Sequence, residues 1–221
     1  MERLASAGVV VTSLSADEAF PDSVFVEDPA LCLPHGAILL RSGAAQRRGE
    51  AATLEPALRE FYGDHLACLP EGAFADGGDI LVTGREIIVG LSARTNRSGA
   101  EAITALAGDW GYSVRTVATP AGILHLKTDC STLGGKRVLS TRRLADSGTF
   151  DDYDIILVPE TEEAAANAIR VNDTVFVAAG FERTADALSR LSLRVESVDV
   201  SEAAKLDGGL SCMSLRFDPQ V

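Results

Sequence analysis

Gly78-Asp79-Ile80-Leu81-Val82-Thr83, Gly84-Arg85-Glu86, then Ile87-Ile88-Val89-Gly90-Leu91: this stretch decides the architecture of the chain. Two short runs of β-branched and aliphatic residues flank a turn that opens with glycine, which reads as strand, tight turn, strand. A polar loop over residues 94–99 follows. Residues 100–107 then have helical character, and residues 113–117 read as a further strand.

The same order recurs on both sides. Upstream, the end of a helix leads to expected strands at 9–14 and 23–26, with a loop between them; the second stops at Glu27-Asp28. A strand at 37–40 follows the turn Pro34-His35-Gly36. A helix at 50–62 puts Leu54, Leu58 and Phe61 on one face, and a short strand covers 66–69. Downstream, a looser copy runs through Thr132-Leu133, the turn Gly134-Gly135, strand 137–140, a shorter helix and strand 154–158. A fourth has strand 168–171, the turn Asn172-Asp173, strand 174–179, helix 184–191 and strand 193–198. Arg47, Arg94, Arg142 and Arg183 mark the phase. A period of roughly 40–50 residues signals a repeat architecture. Propeller-like closure would bring equivalent strand ends to one central site. No linker composition divides the chain, so residues 1–221 are expected to form one domain.

With 221 residues, 46% of them hydrophobic, the chain can bury a substantial core. No run approaches the roughly 18 apolar residues that span a bilayer, and Met1-Glu2-Arg3-Leu4-Ala5-Ser6 lacks the apolar region of a signal peptide. The four scattered cysteines show no metal-ligand spacing, so a reduced, cytoplasmic protein without a membrane partner is expected. A net charge of −12 argues against nucleic acid as a partner and is compatible with a cationic substrate.

Near the C-terminus, Leu206-Asp207-Gly208-Gly209-Leu210-Ser211-Cys212 brings an acid and two glycines to a cysteine, and an alternating strand pattern follows. The turn can present Cys212 to a cleft; the alternative is an inert buried thiol. His35 and His65 sit in a turn and a polar loop. His125 differs, because Ile123, Leu124 and Leu126 flank it like a strand entering the core. A cysteine nucleophile needs such a base, since the thiolate is the reactive form. In Asp76-Gly77-Gly78-Asp79, one carboxylate at a strand mouth can orient an imidazole; the other reading is a hairpin turn or a cap. Asp22, Glu27 and Asp28 bracket Val24-Phe25-Val26, and such acids suit a planar guanidinium if they are not merely solvated. Arg47 and Arg94, matched in successive repeats, suit a substrate carboxylate, or else the solvated surface.

Asp22-x-Val-Phe-Val-Glu27-Asp28, Asp76-Gly-Gly-Asp79, Arg94-Thr-Asn-x-x-Gly-Ala, Leu124-His125-Leu-Lys-Thr and Asp207-Gly-Gly-Leu-Ser-Cys212 stand together and in order. This set resembles the dimethylarginine dimethylaminohydrolases of the guanidine-modifying superfamily. The resemblance implies an α/β pentein fold, a five-bladed propeller of ββαβ modules with pseudo-fivefold symmetry. It implies Cys212 as nucleophile, His125 as general acid and base, and Asp76 as the carboxylate supporting His125. Asp28 would hold the guanidinium, with Asp22 and Glu27 lining the pocket. Arg47 and Arg94 would bind the α-carboxylate, and the backbone around Leu206 and Asp207 the amino acid end. The expected reaction converts Nω-methylated arginine to citrulline and a methylamine through a cysteine thiouronium. No cofactor is required, Zn²⁺ captured by Cys212 and His125 would inhibit, and a homodimer is one assembly open to the chain. Arginine deiminases typically carry an aspartate two residues after the histidine, where this chain has Lys127.

Family members usually begin with a further strand, a lid loop and a helix, so the first module is expected to be incomplete. Two rival readings remain: a hydrolase of another guanidino compound, such as an arginine deiminase, and a non-catalytic pentein that binds a partner. A cysteine protease fits poorly, because it leaves the carboxylate cluster unexplained.

Overall fold

A computed structural model describes residues 1–221. The chain gathers into two compact units, one of Asp17–Lys127 with Cys212–Val221, the other of Met1–Ala16 with Thr128–Ser211. A short helix, α1 (Glu2–Ser6), opens the chain. No helix is long and apolar enough to cross a membrane.

The first unit holds two ββαβ modules. In one, β1 (Ala30–Leu33) pairs antiparallel with β2 (Gly36–Leu39), α2 (Glu50–Tyr62) crosses over, and β3 (Leu66–Cys68) returns parallel to β2. In the other, β4 (Ile80–Val82) and β5 (Ile87–Leu91) pair antiparallel, and α3 (Arg97–Asp109) leads to β6 (Val114–Ala118), parallel to β5. Alternation along β1 and β2 serves two cores. Ala30, Ala37 and Leu39 pack with Leu54, Leu58 and Tyr62 of α2, while Leu31, Leu33 and Ile38 pack with Ile80, Ile87 and Ile103. A sheet buried on both faces explains why Ile87-Ile88-Val89 is apolar without alternation. Asn96 caps α3 by accepting from Gly99 N at 2.8 Å.

The second unit repeats the plan. β7 (Cys130–Gly134), β8 (Arg137–Ser140), α4 (Arg142–Ala145) and β9 (Asp154–Leu157) form one module. β10 (Ile169–Val171), β11 (Thr174–Ala178), α5 (Glu182–Ser189) and β12 (Arg194–Val198) form the next, and α6 (Ser201–Ala204) follows. Leu4 and Ala7 pack on Ile169, Phe176 and Leu210, which anchors the chain's start to this module.

One device recurs at the entrance of the modules. Asp28, ahead of β1, accepts from Gly78 N; Asp79, ahead of β4, accepts from Leu126 N; Asn167, ahead of β10, accepts from Ser211 N, each at 2.9 Å. Each side chain thus satisfies a backbone donor at the start of a later segment, which would otherwise be a costly buried orphan. Asp76, His125 and Cys212 all lie within two residues of these pinned donors.

Three expected strands are absent. Residues 9–14 form no strand, and Val10 is 96% exposed. Residues 21–24 form a 3₁₀ turn entered through Pro21; Arg47 Nη2 takes the carbonyls of Asp22 and Phe25, at 3.2 and 3.1 Å, out of any ladder. The first strand of that module lies later, at β1. After Cys212 a 3₁₀ turn (Ser211–Met213) replaces the strand, and Leu215 and Phe217 pack beside Tyr62.

Candidate active site

The first unit brings together Asp28, Asp76 and His125, whose ligand atoms all lie within 4.8 Å of one another. Glycine makes this possible. Gly77 and Gly78 form a 3₁₀ turn behind Asp76. A Cβ on Gly77 would run into the Glu27 carbonyl, and one on Gly78 would stand 2.7 Å from His125 Nδ1. The Gly-Gly pair lets the segments carrying Asp28 and His125 approach the turn that carries Asp76.

His125 lies in a bend before a 3₁₀ turn (Leu126–Thr128), not in a strand. It is 8% exposed, and its Nε2 is 3.2 Å from Oδ2 of the fully buried Asp76. Asp76 is held in turn, its Oδ1 accepting from Gly43 N at 3.3 Å and its own N–H donating to Thr95 Oγ1 at 3.2 Å. Burial opposes the charged imidazolium, but the hydrogen bond to Asp76 and the charges of Asp28 and Asp79 outweigh it, so the His125 pKa is raised. Burial likewise opposes the Asp76 carboxylate, yet hydrogen bonds from His125 and Ser42 and the charges of His125 and Arg94 leave its pKa lowered. The pair therefore favours imidazolium beside carboxylate. Asp79, also fully buried, accepts from Ser92 and Thr95 hydroxyls at 2.6 and 2.7 Å while pinning Leu126.

Cys212 is half-buried, and its carbonyl accepts from Glu27 N at 3.1 Å. Arg94, with a side chain 26% exposed, places Nη1 3.7 Å from Asp76 Oδ2, so part of it faces solvent beside His125's partner. Asp22 is half-buried in the 3₁₀ turn before Phe25.

Two of the expected binding residues are engaged inside the protein. Arg47 is buried and committed inside the protein. Nη1 reaches Asp28 Oδ2 at 2.5 Å, Nε and Nη2 grip Glu50, and Nη2 also takes two carbonyls. A guanidinium so occupied braces Asp28 against Glu50. Glu27 is also buried, and its Oε1 accepts from Lys127 Nζ at 2.6 Å and Arg216 Nη2 at 3.2 Å. It joins the segments that carry Lys127 and Arg216.

In the second unit, Leu206 and Asp207 are exposed after α6, with Asp207 at φ 58°. Asn167 holds the turn that ends at Cys212. It accepts from Ser211 N, donates to Ser211 Oγ at 3.1 Å, and packs where a Cβ on Gly209 would be, 2.5 Å from its side chain. Neither Asn167 nor Glu50 carries a local sequence signal, because each acts on a partner chosen by the fold.

The two carboxylates and the imidazole are grouped closely enough to suggest a metal site. Their oxygens already accept from Gly78, Arg47, Gly43 and His125, and two guanidiniums stand within 4 Å. A dication would face both positive charges, whereas a planar organic cation needs only edges of the carboxylates. An open surface cleft of about 270 Å³, lined in part by Trp110, contains none of these side chains.

A scan against protein-family models finds no match. The chain is 42% identical over 97% of its length to the N(G),N(G)-dimethylarginine dimethylaminohydrolase of Pseudomonas aeruginosa, covering 84% of that protein. A solved dimethylarginine dimethylaminohydrolase, a histidine-to-glycine variant as an adduct with S-methyl-L-thiocitrulline, superposes with a TM-score of 0.95 at 41% identity, over 98% of this chain and 85% of that one. A cysteine-to-serine variant of the Pseudomonas aeruginosa enzyme with citrulline gives 0.88 at 42% identity, over 91% and 78%. The four ββαβ modules are those of the pentein fold these structures share. By these likenesses, the chain belongs to the family of dimethylarginine dimethylaminohydrolases.

Proposed function

We propose that the chain hydrolyses Nω-methylated L-arginine to L-citrulline and dimethylamine or methylamine. The observation that supports this most is His125 grouped with the carboxylates of Asp76 and Asp28, in a chain 42% identical to a dimethylarginine dimethylaminohydrolase.

In this reading the Cys212 thiolate attacks the guanidinium carbon. A C–S bond forms, the C–N bond to the methylated nitrogen breaks, and His125 gives its proton to the departing amine. His125 then takes a proton from water, whose oxygen attacks the thiouronium carbon; a C–O bond forms, the C–S bond breaks, and citrulline leaves. Water balances the reaction, so no organic cofactor is needed. Asp76 keeps the imidazole charged and oriented. Asp28 faces the cationic head of the substrate, with Asp22 nearby. Arg94, partly exposed, is left as the binder of the α-carboxylate. The backbone at Leu206 and Asp207 serves the amino acid end. Zn²⁺ bound by Cys212 and His125 would block the reaction by occupying both groups.

A citrulline assay with dimethylarginine and free arginine side by side tests the reading. Citrulline with dimethylamine from the methylated substrate supports it. Turnover of arginine alone would make the chain a deiminase, and turnover of neither would leave a binding protein.

A further inference from the structure

We infer that Glu27 is a positioning residue that sets Cys212 against His125, through a buried clasp with Lys127 and Arg216. The inference rests on the proposed function and extends it to side chains outside the reacting groups. Glu27 touches every segment that bears the chemistry. Its N–H donates to the Cys212 carbonyl at 3.1 Å, and its carbonyl lies against Gly77, beside Asp76. It precedes Asp28 in sequence. Its carboxylate accepts from Lys127, two residues after His125, and from Arg216, four residues after Cys212.

The burial is uneven. The side chain of Glu27 is 4% exposed, that of Lys127 12% and that of Arg216 31%. A buried ion pair gives little net stability compared with apolar packing, so it is better suited to fixing register. Here the register joins Glu27 to residues 100 and 189 positions away, which no local turn could fix. The clasp also gives Lys127 a task. An aspartate at 127 would set a second carboxylate against Glu27, so this arrangement requires a cation there.

The test uses Glu27→Gln, Lys127→Met, Lys127→Arg and the Glu27→Gln/Lys127→Met double variant of the full chain, each assayed below its own Tm. Misplacing reacting groups by about 1 Å can cost on the order of 10²-fold. Glu27→Gln and Lys127→Met are expected to lose about that much in kcat with KM for dimethylarginine within about twofold, and Lys127→Arg to retain most of the rate. The double variant is expected to be no worse than the poorer single one, because one clasp is lost in each case.

A second readout needs no substrate. The rate at which iodoacetamide alkylates Cys212 at neutral pH should fall about tenfold in both single variants, as the thiolate loses its imidazolium partner. This arm stands even if the wild type turns over no methylarginine, or if Glu27→Gln does not fold and only the lysine variants remain. Unchanged alkylation, unchanged kcat in folded variants, or additive losses in the double variant would overturn the inference.

Discussion

His125 Nε2 lies 3.2 Å from Asp76 Oδ2, in a setting where Asp76 is fully buried and the imidazole nearly so. The contact raises one pKa and lowers the other, so it has a pH signature. The histidine's contribution to stability is fully present below its unfolded value of about 6.5 and is lost as pH rises through the raised folded value. The aspartate's contribution is present above about 3.9 and is lost as pH falls through its lowered folded value. The Tm difference between wild type and Asp76→Asn should therefore be largest between about pH 4 and 6.5 and shrink above it. Thermal melts across this range check it; a difference that grows toward pH 9 would mean the pair is not charged.

Gly78→Ala should reach the reaction through His125. The new Cβ would stand 2.7 Å from Nδ1, so the ring or the turn must shift. Overpacking of this kind typically costs about 1–3 kcal/mol of stability. We expect citrulline production to fall more than that loss explains. An active, well-folded Gly78→Ala would show that the imidazole can move freely.

Arg47 and Arg94 occupy the same phase of successive repeats but should fail differently. Arg94→Ala is expected to raise KM for dimethylarginine by an amount worth about 1.5–3 kcal/mol and to remove preference for substrates bearing an α-carboxylate. Arg47→Ala leaves Asp28 and Glu50 buried without their cation, so it should cost about 3–5 kcal/mol of stability. Denaturant unfolding and steady-state kinetics on both variants separate the two roles. A stable Arg47→Ala with a raised KM would return it to the substrate.

His125→Gly should slow departure of the amine and slow hydrolysis of the thiouronium still more, since no side chain then protonates the one or activates water for the other. General acid and base catalysis is worth roughly 10²–10⁴-fold. Intact mass spectrometry after substrate addition should find a lasting adduct. Less than about tenfold loss with no adduct would leave His125 a core residue.

Much of the fold was readable in the sequence. The strands Ile87–Leu91 and Arg137–Ser140 and the helix Glu50–Tyr62 have the bounds the sequence suggests, the strands as short apolar runs closed off by turns and the helix through its apolar face. Residues 23–26 misled, since Val-Phe-Val has strand propensity but Arg47 removes its neighbours' carbonyls from any ladder. The alternation after Cys212 misled for a related reason, as Leu215 and Phe217 pack on α2 with no partner strand. Asp28, Asp76 and His125 were legible as a group through short motifs. The tasks of Arg47 and Glu27 were not, because Glu50, Lys127 and Arg216 are ordinary surface types whose burial only the fold decides.

The central claim is that one cysteine of four carries the reaction, and mapping the covalent intermediate tests it most directly. Wild type mixed with dimethylarginine, quenched in acid within a turnover, digested and sequenced by mass spectrometry should carry the thiouronium on Cys212 and nowhere else. Cys212→Ser, folded as judged by circular dichroism, should give neither adduct nor citrulline, since serine's far higher pKa leaves almost no nucleophile at neutral pH. Citrulline formed at an undiminished rate by Cys212→Ser, or an adduct on Cys32, Cys68 or Cys130, would contradict the account.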